Sequence, residues 1–185
     1  KKILEGQNWD KDLRSPLTEV GVKVKEGDYI IAINGKPVNQ VKNIYELLVN
    51  TAGRQVTLRV NSQPADKGAR EVVIVPIERE NSLYYYNWVK RNAEIVARAT
   101  DNRVAYIHVP DMGAPGLNEF VKHFYPQVNK KALIIDVRGN GGGNVSPMLI
   151  ERLLRQAAFI EVARGSVPDW DPAAVIMGPK VCLAN

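Results

Sequence analysis

The first stretch of the chain consists of short apolar runs broken by Gly, Asn, Asp and Pro, with one helical interlude, a pattern that predicts a small β-rich unit. Asp28-Tyr29-Ile30-Ile31-Ala32-Ile33 is a strand-like run that meets Asn34-Gly35, a pair suited to the positive φ angles of a tight hairpin turn. Val41, Ile44, Leu47 and Leu48 follow a helical spacing, so residues 41–49 are expected to form a helix with one buried face, ended near Gly53. Residues 55–60 alternate, placing Val56, Leu58 and Val60 on one face of a strand, and a loop over residues 64–68 returns the chain to a further strand over residues 72–76.

Beyond a polar and aromatic stretch at residues 78–86, Trp88 is expected to open a helix with Val89, Ala93, Val96 and Ala97 on its apolar stripe. The chain then alternates strand (103–109), helix (117–125), strand (132–137), helix (147–156) and strand (180–183). Such alternation predicts an α/β layer with largely parallel strands. The expected division is therefore a β-rich domain over 1–77, a linker and helix over 78–101, and an α/β domain over 102–185.

A chain of 185 residues with 45% hydrophobic composition can build two small cores. The net charge of +5 is scattered and forms no basic block, which argues against a nucleic-acid partner and leaves a peptide or an acidic surface as the better fit. One cysteine, Cys182, excludes an internal disulfide, and the two histidines have no metal-binding spacing, so no cofactor or metal is expected. No apolar run of about 18 residues is present to span a bilayer as a helix. The chain opens on Lys1, and residues 180–185 read as a buried strand cut off in mid-structure, so it is expected to be an internal piece.

Two constellations carry chemistry. Residues 21–38 run Gly21-Val22, Gly27-Asp28, Ile33-Asn34-Gly35 and Val38 in an order that resembles the core of a PDZ domain. The resemblance implies a groove that takes an extended peptide as an added strand, between a strand beginning Lys2-Ile3-Leu4 and the helix over 41–49. Ile3, Leu4, Ile44 and Leu48 are its candidate lining. The loop that binds a terminal carboxylate in that family would precede Lys2, so it is expected to be absent.

The second is the buried strand Ala132-Leu133-Ile134-Ile135-Asp136-Val137, which runs through Arg138 into Gly139-Asn140-Gly141-Gly142-Gly143-Asn144. Consecutive amides free of Cβ atoms can point at an anion, either a phosphate or the oxyanion of acyl transfer. The spacing of a nucleotide-binding loop is missing. Together with Val104-Ala105-Tyr106-Ile107-His108-Val109-Pro110-Asp111-Met112-Gly113, the string Asp136-Val137-Arg138-Gly139-Asn140-Gly141-Gly142-Gly143 resembles the tricorn-type branch of the C-terminal-processing peptidases.

That resemblance covers nearly the whole chain. It implies a serine peptidase whose catalytic domain has a ClpP/crotonase-like α/β fold, with Gly143 as the backbone oxyanion donor and Gly142 beside it in the substrate channel. Its serine nucleophile would follow Asn185, its histidine would precede the PDZ-like module, and the chain alone is expected to be inactive. Glu161 stands near the acidic residue that lines the pocket for the side chain before the cleaved bond. A cytoplasmic homo-oligomer acting on peptides or unfolded polypeptides is the corresponding expectation, and a non-catalytic PDZ-type scaffold is the alternative.

Ser146 is read as an N-cap ahead of Pro147 rather than as a nucleophile. His108 is expected to be packed and hydrogen-bonded in its strand, and His123 to lie on a helix surface.

Overall fold

The computed structural model describes residues 2–185. Contacts divide the chain into two compact units, Lys1–Trp88 and Val89–Asn185.

The first unit is built on an antiparallel sheet ordered β2-β1-β3-β4, from β1 (Tyr29–Ile33), β2 (Lys36–Pro37), β3 (Val56–Asn61) and β4 (Arg70–Ile74). Asn34 and Gly35 join the first two strands with φ of 47° and 76°, the positive pair the Asn-Gly sequence is suited to supply. Val56, Leu58 and Val60 alternate inward along β3 and meet Ile33, Val72 and Ile74 in one core. The ladder therefore buries the face that the alternation marks.

Two elements of this unit differ from expectation. Residues 41–49 do not form a full α-helix; only Ile44–Leu48 wind, as a 3-10 helix. The Asn43 side chain accepts the Tyr45 N–H at the start, and Asn50 at φ 58° follows the far end, so turn-forming asparagines leave room for little more than one turn. Lys2-Ile3-Leu4 lies in no strand. Side chains take its backbone groups instead: Glu26 Oε1 accepts the Ile3 N–H at 2.9 Å, and Ser15 Oγ donates to the Leu4 carbonyl at 2.6 Å. At Glu5 the Asn87 amide does both jobs, accepting the N–H at 3.1 Å and donating to the carbonyl at 2.8 Å.

Helix α1 (Asn81–Ala99) begins a full two turns before Trp88, because Leu83 and Asn87 already sit on its buried side at i, i+4 spacing. The second unit carries β5 (Val104–His108), α2 (Ala114–Phe124), β6 (Ala132–Asp136), α3 (Ser146–Leu154), β7 (Phe159–Glu161), β8 (Asp169–Asp171) and β9 (Lys180–Leu183). Its main sheet is parallel and ordered β5-β6-β9; β7 and β8 form a separate antiparallel pair.

The two faces of the parallel sheet differ in kind. Ala105, Ile107, Leu133 and Ile135 join Phe120 and Phe124 of α2 and Leu149 of α3 in an apolar core, where the two Phe rings stack with centroids 5.0 Å apart. Tyr106, His108 and Asp136, the alternate residues of the same strands, are also buried, and they make polar contacts. Ser146 is the first residue of α3 rather than its N-cap; Val145 holds the cap position and no side chain caps the helix.

Candidate functional site

The glycine run leaves β6 at Asp136, whose carboxylate is fully buried. Asp136 Oδ1 accepts the Arg138 N–H at 3.0 Å and Arg138 Nε at 2.9 Å, while Oδ2 accepts Arg138 Nη2 at 2.6 Å and the Tyr106 hydroxyl at 2.7 Å. Asn92 of α1 donates to the Tyr106 hydroxyl at 3.2 Å. His108 Nε2 lies 3.0 Å from the Arg138 carbonyl oxygen; a carbonyl only accepts, so this nitrogen carries the hydrogen.

The charges follow this geometry. The Arg138 guanidinium, assisted by the Tyr106 hydroxyl and the Arg138 N–H, overcomes burial and holds the Asp136 carboxyl down at about 2. Burial, and then the hydrogen bond to the carboxylate, push the Tyr106 phenol up to about 12. Pairing with Asp136 raises the Arg138 guanidinium further above its ordinary range.

Past Arg138 the loop is bonded almost amide by amide. Gly139 N–H donates to Asn185 Oδ1 at 3.1 Å, Asn140 N–H to the Val137 carbonyl at 3.0 Å, Gly141 N–H to the Pro110 carbonyl at 3.0 Å, and Gly142 N–H to Asn140 Oδ1 at 2.8 Å. Asn144 and Val145 both donate to the Met112 carbonyl, at 2.7 and 2.8 Å, and the Met112 N–H returns a bond to the Gly142 carbonyl at 2.8 Å. These bonds make a parallel bridge between Met112 and Gly143. Among the described residues, the Gly143 N–H is the one amide from 139 to 145 that meets no acceptor.

Gly143 has φ of +143°, and a Cβ there would be driven into the Met112 carbonyl, so only glycine fits the close approach. Asp111 fixes the other side of that approach: its Oδ1 accepts the Gly113 and Gly116 N–H groups, at 2.7 and 3.1 Å, where α2 begins. The sequence alone marks the glycines but not the role of Pro110 and Met112, whose backbones carry the contact.

Glu161 lies at the end of β7, exposed, where it pairs in register with Asp169. His108 is buried, and His123 Nε2 faces Glu119 Oε2 at 3.3 Å on the surface of α2.

In the first unit, Ile3, Leu4, Ile44 and Leu48 do come together, lining a cleft of about 750 Å³ that Ile33 and Leu58 also line. Strand addition along residues 3–5 is restricted, since Ile3 N–H, Leu4 C=O and both backbone groups of Glu5 are engaged. The cleft can receive apolar side chains; the backbone edge has little left to offer.

Residues 1–79 match the family described as the tricorn protease PDZ domain, and residues 103–169 match peptidase family S41. Tricorn protease homolog 1 of Streptomyces coelicolor is 37% identical over 185 residues, which are 100% of this chain and 17% of that protein. The tricorn protease of Thermoplasma volcanium is 33% identical over 184 residues, 99% of this chain and 18% of that protein. A crystal structure of the tricorn protease matches with a TM-score of 0.86 at 31% identity, over 100% of this chain and 18% of the other. The chain thus spans less than a fifth of the length of these relatives. Over its whole length the chain is thus similar to a segment of the tricorn proteases, with one stretch that matches a tricorn-type PDZ domain and a second that matches peptidase family S41.

Proposed function

We propose that this chain supplies the oxyanion donor and part of the substrate channel of a serine peptidase. In that reaction a serine oxygen bonds to the scissile carbonyl carbon, a histidine takes the serine proton, and the carbonyl π pair moves onto oxygen as the oxyanion. When the intermediate collapses, the C–N bond breaks and the amine leaves with a proton returned by the histidine. Serine and histidine are expected outside residues 1–185, and the Gly143 N–H holds the oxyanion. One observation carries the reading: in a loop whose other amides from 139 to 145 are all bonded, the Gly143 N–H meets no acceptor among the described residues. A preorganised donor of this kind is aimed at the place where charge develops on the substrate oxygen.

Gly142, next to it at φ +82°, belongs to the channel wall in this reading, and the exposed carboxylate of Glu161 to the pocket for the side chain before the cleaved bond. The cleft lined by Ile3, Leu4, Ile44 and Leu48 holds apolar side chains of the peptide. A cytoplasmic homo-oligomer is part of the same proposal. The unpaired Cys182 suits a reducing compartment, and among the described residues no helix is long and apolar enough to cross a membrane.

The test is a crystal structure of the full-length protein with a peptide aldehyde bound covalently to the serine. The hemiacetal oxygen is expected about 2.7–3.1 Å from Gly143 N. An oxygen held by other donors, with Gly143 N more than about 3.5 Å away, overturns the assignment.

A further inference from the structure

The second unit buries three polar side chains on the face of its sheet opposite the apolar core, and all of them converge on one residue outside the regular strands. Arg138 is the hinge between β6 and the glycine run. Its N–H and guanidinium are held by the Asp136 carboxylate, and its carbonyl by His108 Nε2 at 3.0 Å. Tyr106 braces the carboxylate from the neighbouring strand at 2.7 Å. Peptide planes on both sides of Arg138 are thereby fixed by groups that are themselves fixed, since β5 and β6 pair in parallel register with His108 opposite Asp136.

At its other end the run is held by Met112, which bonds Gly142, Asn144 and Val145. Three residues, 139–141, lie between Arg138 and the Gly142 carbonyl, and Gly143 lies within the second anchor. A donor aimed at a transition-state oxygen loses its effect when misplaced by about 0.5 Å, so glycines, which supply no side chain to lock their own conformation, need such fixtures. Burying a carboxylate, a phenol and an imidazole away from the apolar core makes a costly scaffold for a loop that a simple turn could close.

We propose that Asp136, Tyr106 and His108 are positioning residues that aim the Gly143 N–H by clamping Arg138 at the root of the loop. This rests on the reading of Gly143 as the oxyanion donor. The clamp acts on geometry: it touches no substrate, and its loss should lower kcat while leaving ground-state binding alone.

The experiment uses the full-length protein and three variants. Tyr106→Phe keeps the ring and removes one brace, His108→Leu removes the donor to the Arg138 carbonyl, and His108→Gln returns an N–H at similar reach. For Tyr106→Phe and His108→Leu, kcat on a fluorogenic peptide is expected to fall about tenfold or more with KM within about twofold, and His108→Gln should recover most of the loss. Amide hydrogen exchange at residues 139–145 should quicken in the same two variants and return in His108→Gln. Unchanged exchange and unchanged kcat overturn the clamp, and so does a kcat loss without faster exchange, or one that His108→Gln shares with His108→Leu. Faster exchange with unchanged kcat shows that the clamp holds the loop but overturns Gly143 as the donor, which separates the two failures.

Discussion

A methyl group on Gly143 would be driven into the carbonyl of Met112, the same oxygen that accepts the N–H groups of Asn144 and Val145. The position is therefore closed to side chains for a reason independent of chemistry at the amide. At Gly142, φ is +82° but nothing lies within 4 Å of an added Cβ. Gly142→Ala should cost about 1 kcal/mol of backbone strain. Gly143→Ala should cost that plus about 1–3 kcal/mol of overpacking. Paired thermal melts of the two variants check this, and equal losses would mean that the Met112 carbonyl yields. Under the proposed function, Gly143→Ala in the full-length protein should also lower kcat by about 10²–10³-fold, but with a disturbed loop that loss alone does not identify a donor.

The second prediction concerns pH. Asp136 sits at about 2 when folded against an ordinary 3.8, so its contribution of about 2 kcal/mol is present above pH 3.8 and is lost as pH falls toward 2. Tyr106 is raised from 10.0 to about 12, so it contributes below pH 10 and loses that contribution as pH rises toward 12. Urea unfolding followed across pH should show both limbs in the second unit. Tyr106→Phe should remove the alkaline limb, and its persistence in that variant would assign the limb to another group.

The third prediction concerns the cleft. With the backbone of residues 3–5 engaged, an apolar peptide should bind weakly and move the amides of residues 44–48 more than those of Ile3 and Glu5 in an NMR titration. Asn87→Ala removes the two bonds its amide makes to the Glu5 backbone, and it should destabilise the first unit by about 1–3 kcal/mol while strengthening peptide binding. A variant that is destabilised yet binds peptide no better would show that strand addition is not what Asn87 prevents.

The fourth prediction is that the 185-residue chain, purified free of protease, does not hydrolyse a fluorogenic peptide. His108 Nε2 is directed at the Arg138 carbonyl and His123 Nε2 faces Glu119, so neither histidine presents that nitrogen to a serine. Turnover that withstands repurification and is lost in His108→Leu would refute it.

Much of this was readable in the residues, where one local cause dominates. Alternating Val56, Leu58 and Val60 specify the buried face of β3, Asn34-Gly35 specifies the turn between β1 and β2, and the apolar β6 followed by glycines marks the loop. Sequence reading failed where side chains compete for the backbone. Lys2-Ile3-Leu4 looks like a strand, yet Glu26 and Ser15, with Asn87 at the adjoining Glu5, take hydrogen bonds a partner strand would need. The helical spacing over 41–49 was real, but Asn43 and Asn50 confine it to Ile44–Leu48. The early start of α1 was hidden by its tyrosines, although Leu83 and Asn87 stand at i, i+4 spacing and are both buried. At the site, Gly143 could be singled out only by resemblance, because its distinction is an unbonded amide, and bonding by Met112 and Pro110 depends on contacts some thirty residues away.

The bridge between Met112 and Gly143 also ties the lengths of two distant stretches together. Sliding residues 110–113 by one position against residues 141–145 would present a different amide to the open side and bring another residue against the Met112 carbonyl. A single inserted or deleted residue in either stretch should therefore silence the site even where every side chain is kept.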